Sequence, residues 1–240
     1  MKKLLKATSI TILTLGILYL GILISPSFLF ANKVEYNHCT VFSDDKIDGN
    51  IKFIIDDATK RIAKSQIYDS TFHFNLYICN MPWRFMLLNQ GNSRAMGTAD
   101  QHLTRHIYFR KCDIPNNQSI PRQKPKFSLS DRPLSYYFAH EMTHILESLY
   151  TGRFRFGTPV WLREGYADYI AKDGNFDFNE NLKLLHSNAP ELDPKQGLYR
   201  YYHLFVAYLI DKKGLNIKLL YGQTPELETL KPEIMNLATE

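Results

Sequence analysis

An α+β domain behind one membrane-crossing helix is the fold that the order of apolar patterns in this 240-residue chain predicts. Three observations point to it. Residues 7–31 form an uncharged run rich in Ile and Leu. One helical pattern and two short strand patterns follow it. From about residue 130 onward the apolar residues recur at helical spacing. Helix, strands, then a helical lobe is the order of an α+β architecture.

Lys2, Lys3 and Lys6 precede the uncharged run, which is long enough to cross a hydrocarbon core of ~30 Å as a helix. The rival is a cleaved signal peptide, whose apolar region normally spans about 7–15 residues. Leu29-Phe30-Ala31 is a poor small-x-small cleavage site because Leu29 is bulky. An uncleaved signal anchor over 1–31 is therefore expected, with secretion after cleavage as the alternative. Either way the lysines stay cytoplasmic and residues from Asn32 onward are exported. Residues 32–240 can bury one core and are expected to form a single domain. The formal charge of +5 falls to +2 without the three anchor lysines. With no Lys/Arg run interleaved with aromatics, nucleic acid is not an expected partner. The pattern fixes no oligomeric state.

Within the exported part, Ile51, Ile54, Ile55, Ala58 and Ile62 predict an amphipathic helix over about 50–66. Phe72, Phe74, Leu76 and Ile78 alternate with His73, Asn75 and Tyr77, which predicts a strand with one buried face. Pro82 and Gly91 bracket a short helix, and 106–110 reads as a second strand. Residues 116–130 carry prolines and little apolar content and read as a loop. Leu134, Tyr137, Phe138, Met142, Ile145 and Leu149 give the next helix its core face, and Gly152 ends it. Thr158-Pro159 opens another helix, which runs to about Lys172 before Gly174. A last strong helix covers 199–213, with Gly214 behind it. Cys39, Cys79 and Cys112 permit one disulfide in an oxidising compartment, or are simply small buried residues. Cys79 with Cys112 is the preferred pair, since both are expected to end strands of one sheet. No CxxC pair exists, so none of the three is an expected metal ligand.

The chemistry-bearing feature is His140-Glu141-Met142-Thr143-His144. A spacing of four puts both histidines on one helical face, one turn apart. Two imidazole nitrogens there can grip one Zn²⁺ while Glu141 reaches a metal-bound water. Glu164, in the following helical segment, supplies a third ligand. Three protein ligands with one open position is the catalytic form of a zinc site. The bland reading is a surface helix with two histidines and an exposed glutamate.

Trp161-Leu162-Arg163-Glu164-Gly165-Tyr166-Ala167-Asp168-Tyr169 resembles the third-ligand helix of the gluzincins, the thermolysin-like and aminopeptidase-N-like zinc peptidases. Their third ligand is a Glu about twenty residues past the second His, and Glu164 falls at that distance from His144. The likeness covers about residues 130–213. It implies a small mixed sheet beside the helix of His140 and His144, Zn²⁺ as cofactor, and a peptide or protein substrate. It also implies an acidic residue bonded to a histidine ligand, here Asp168, four residues past Glu164. An oxyanion donor is expected among Tyr199, Tyr201, Tyr202 and His203, with Tyr202 preferred because it shares a face with Phe205 and Val206. Residues 95–100 resemble the stretch before a substrate-facing edge strand. Arg163 is either a neighbour that neutralises carboxylates or a solvated side chain. His102 and His106 read as plain loop and strand residues.

The expected function is peptide-bond hydrolysis by a membrane-anchored, extracytoplasmic zinc peptidase. The aminopeptidase Gly-Ala-Met-Glu-Asn strand is missing, which favours an endopeptidase. The alternative is a non-catalytic binding domain that keeps the metal. An intramembrane protease is disfavoured because Glu141 and Glu147 lie in the motif helix and no second spanning segment surrounds it.

Overall fold

The computed structural model describes residues 2–91, 95–122, 126–153, 157–193 and 199–238. Its first helix, α1 (Lys2–Ile24), is long and apolar enough to cross a membrane. The 19 residues Lys6–Ile24 rise about 28 Å at 1.5 Å each, close to one hydrocarbon core. The helix does not continue to residue 31. Pro26 lacks the N–H that another turn needs, and a 3₁₀ turn forms over Pro26–Leu29. Leu23 and Phe30 are buried with Tyr77, Phe85, Leu88 and Tyr108.

A hairpin of β1 (Asn32–Tyr36) and β2 (Cys39–Ser43) opens the sheet, with Asn37 in the left-handed conformation at its turn. Helix α2 (Ile51–Ile62) crosses over to β3 (Phe74–Cys79), which lies parallel to β2. Helix α3 (Pro82–Leu88) leads on to β4 (Gly97–Ala99) and then β5 (His106–Arg110). β5 pairs parallel to β3, and β4 turns back antiparallel on β5. The order β1-β2-β3-β5-β4 makes a mixed five-stranded sheet with β4 at one edge. β3 is covered on both faces, not one. Phe74, Leu76 and Ile78 join α2 in the main core, while Tyr77 and Cys79 meet the end of α1 and α3. A small ribbon of β6 (Cys112–Asp113) and β7 (Gln118–Ser119) enters the expected loop, whose residues 123–125 lie outside the described set.

The cysteines carry no disulfide. Cys112 Sγ donates to the Arg110 carbonyl at 2.8 Å, and Cys39 and Cys79 are buried thiols. Burial pushes the Cys39 thiol up to about 12, so it stays protonated.

The helical part begins with α4 (Leu134–Thr151), ended by Gly152 at φ 87°. α5 (Val160–Lys172) starts after Pro159. α6 (Phe178–His186) follows, and then α7 (Arg200–Ala207), which gives way to a π turn over Tyr208–Lys212 instead of one helix to 213. α8 (Ile217–Gly222) and α9 (Leu227–Met235) close the described chain. α4 packs on α2 and β4, and α5 lies between α4 and α7.

The α5–α7 contact depends on one missing side chain. A Cβ on Gly165 would lie 2.6 Å from the backbone oxygen of Tyr202. Gly165→Ala should therefore destabilise the protein by about 1–3 kcal/mol, the usual cost of overpacking. The readout is a lower urea midpoint at unchanged slope. An unchanged midpoint would mean that the two helices separate freely.

Candidate metal centre

The four-residue spacing on α4 sets the His140 and His144 rings one turn apart, perpendicular, with centroids 4.9 Å apart. α5 crosses this face and brings Glu164 to both. Glu164 Oε2 lies 3.4 Å from His140 Nε2 and 3.5 Å from His144 Nε2. One donor atom from each of the three residues falls within 4.8 Å of the others. Ligands held about 2.0–2.1 Å from a tetrahedral cation are separated from each other by about 3.3–3.4 Å. The two distances to Glu164 match that edge length, so the residues fit a small divalent cation with two nitrogens and one oxygen. Burial pushes the Glu164 carboxyl up, but His144 and His140 overrule it and hold it far below the usual carboxylate range.

His144 is oriented from behind. Its Nδ1 lies 2.9 Å from Glu147 Oε2, and Tyr221 on α8 donates to the other Glu147 oxygen. A carboxylate only accepts, so Nδ1 donates to Glu147, and Nε2 is the nitrogen left to face a cation beside Glu164. His140 Nδ1 is buried without a hydrogen-bond partner among the described residues.

The expectation that Asp168 bonds a histidine ligand does not match this geometry. Asp168 is fully buried, accepts from the Tyr136 hydroxyl, lies 2.8 Å from His203 Nδ1, and is 3.4 Å from Arg132 Nη2. Tyr136 stands one turn before His140, with ring centroids 6.0 Å apart, and takes the contact that the imidazole was expected to make. Among the described residues, no hydrogen bond or ion pair joins Asp168 to His140. Burial alone would raise its carboxyl, but Arg132, His203 and Lys172 hold it well below the usual range.

Glu141 is buried next to β4. A Cβ on Gly97 would lie 3.0 Å from Glu141 Cγ and 2.6 Å from the Phe109 ring, so the edge strand approaches α4 this closely only at a glycine. Burial pushes the Glu141 carboxyl up, opposed by His140 and His144 and reinforced by Glu164. Residues 97–99 are themselves the edge strand, not the stretch before it.

A cleft of about 1030 Å³ runs past these groups, lined by β4, by His140, Glu141 and Glu164, and by Tyr199. Tyr202, the preferred oxyanion donor, does not line it. It lies in the first turn of α7, where its carbonyl packs over Gly165. Tyr199 precedes the helix in the left-handed conformation, with its ring stacked 5.8 Å from that of His140. Burial, then Glu164 and Glu141, raises its pKa, so the hydroxyl keeps its proton. His203 is buried against Phe176 and Asp168, and Tyr201 packs on Phe205. Arg163 reaches the cleft, with Nε 3.7 Å from Glu164 Oε1. His102 bonds the Arg153 carbonyl, and His106 is buried on β5. Glu147 could have been found from its spacing of three past His144. Tyr221, far along the chain, carried no signal.

No protein-family model matches this chain, and no curated protein matches it. What can be compared is the site itself, two histidines and a glutamate from two helices that could hold a metal, with a second glutamate beside them.

Proposed function

We propose that this chain is a zinc-dependent endopeptidase of the gluzincin kind, anchored by α1 with its catalytic domain outside the cytoplasm. The observation that carries the reading is the approach of Glu164 Oε2 to both His140 Nε2 and His144 Nε2 at tetrahedral edge distances, with Glu141 beside them in the cleft wall. A set of two imidazoles and one carboxylate suits Zn²⁺ with an open position. When bound there, Zn²⁺ supplies a Lewis acid that makes hydroxide accessible near neutral pH and polarises a carbonyl.

The protein's own groups do the rest. The Glu141 carboxylate takes the proton of the attacking water and delivers it to the leaving amine nitrogen. The Tyr199 hydroxyl donates to the carbonyl oxygen as that oxygen gains charge. Gly97, Thr98 and Ala99 line the cleft on the open side of the sheet, where an extended peptide can add its backbone to β4. The cleft wall extends from Leu88 and Gln90 to Arg163, which suits an internal segment of a peptide.

The test is hydrolysis of a broad peptide and protein set by the full chain loaded with Zn²⁺. Cleavage should stop with a chelator and return with added metal. A folded, metal-loaded chain that cleaves nothing would leave a binding domain as the better reading. Within the cleft, Tyr199→Phe should lower kcat by about 10²–10³-fold, the scale for one oxyanion donor. Tyr202→Phe should leave it unchanged. A loss in Tyr202→Phe with none in Tyr199→Phe would restore Tyr202 as the donor.

A further inference from the structure

We propose that the outer face of α3, together with Phe28, is a membrane-interfacial surface that rests in the headgroup and upper acyl region of the bilayer crossed by α1. The inference rests on α1 being an anchor, as proposed above, and not on the peptidase reading. Its starting point is where α3 meets α1. The Tyr19 hydroxyl donates to the Leu87 carbonyl at 2.7 Å, and Leu23 packs in one cluster with Phe85 and Leu88. Tyr19 lies five residues before Ile24, the end of the candidate span. That distance is about 8 Å of helix axis. With Lys6–Ile24 in the hydrocarbon core, the contact holds the end of α3 about that deep.

The other face of α3 has the chemistry for such a depth. Phe85 and Leu88 turn inward, while Trp83 and Met86, three apart, are 53% and 47% exposed. Met81 just before the helix is 54% exposed, and Phe28 in the turn after α1 is 68% exposed. Arg84 is the single charged residue from 81 to 90, and its guanidinium is held 2.7 Å from Asp44. The Arg84 guanidinium also lies over the Trp83 ring, 5.0 Å from its centroid, so the one charge here is paired with Asp44 and covered by an aromatic. Such a largely apolar face beside a membrane span is costly in water and favourable in lipid. Tryptophan in particular favours the interface, and amphipathic helices there bury about 5–10 Å deep. The continuity with α1 selects lipid as the occupant. Leu88 and Gln90, at the end of α3, line the same cleft as His140, which sets one end of that cleft near the headgroups.

The chain has two tryptophans, and Trp161 is 6% exposed in the core, so emission lost in Trp83→Phe reports on Trp83. The full chain is reconstituted in phosphatidylcholine vesicles and recovered by flotation. Lipids brominated near the top of the acyl chain should quench the Trp83 emission several-fold more than lipids brominated near the methyl end. Aqueous acrylamide should quench it weakly. The Trp83→Phe chain should float equally well and lose this depth-dependent quenching. A chain that does not float overturns the anchor and this surface together. A chain that floats, with Trp83 open to acrylamide and untouched by brominated lipid, overturns the surface alone. Trp83 shielded from both quenchers also overturns it, because protein then covers the face.

Discussion

Glu141→Gln should leave fold and metal content intact while peptide turnover falls by roughly 10²-fold or more, the usual scale for losing a general base. The geometry separates the two roles. Glu141 is not one of the three residues whose donor atoms converge. Its Cγ packs where β4 comes closest, and Gln fills that space with the same shape. Gln still hydrogen-bonds, but it cannot take a proton at neutral pH. The substrate's own contacts, along β4 and through the cleft, are unchanged, so KM should move little. Cleavage rate and metal content are measured on the same preparations of both proteins. A variant that cleaves as fast as the wild type would remove Glu141 from the proton transfer while leaving the activity standing. A variant that loses its metal would make Glu141 a ligand, which the distances do not support.

The candidate site was legible in the sequence wherever a short spacing on one helix decides geometry. His140, Glu141 and His144 are set by a single helical turn, and Glu164 by the turn between two helices. The partners of these residues were harder, because they depend on how helices cross. Asp168 has the spacing for an imidazole contact, yet Tyr136 intervenes and Arg132 and His203 claim the carboxylate. Tyr202 was chosen on helical periodicity, which holds only inside a helix. α7 begins at Arg200, and the residue that reaches the cleft is the one just outside it, Tyr199. In the fold, α2, α4 and α5 followed from period and end signals. β4 did not, since three residues, Gly97, Thr98 and Ala99, are too few to show alternation. β3 was expected to have one buried face because nothing in its own sequence reveals that α1 and α3 cover the other.

Metal affinity should fall in a fixed order across four variants. The wild-type chain is expected to bind about one Zn²⁺, since three protein ligands with an open position make one site. His144→Ala and Glu164→Ala each remove a donor and should lose most of the affinity. Glu147→Gln keeps every donor but weakens the support of His144, because a neutral amide replaces the carboxylate that accepts from Nδ1. Loss of such a partner costs about 10–100-fold in affinity. Asp168→Asn should behave differently. It breaks the buried ion pair between Asp168 and Arg132, which costs about 3–5 kcal/mol of stability. Its folded fraction should nonetheless bind metal nearly as tightly as the wild type, because Asp168 contacts neither His140 nor His144. Competition with a chromogenic chelator gives the affinities, and urea titration of the same samples gives the stabilities. If Asp168→Asn lowered affinity as much as Glu147→Gln, Asp168 would be supporting a ligand after all. If His144→Ala and Glu164→Ala both bound Zn²⁺ at wild-type strength, the ligand set would have to be reassigned.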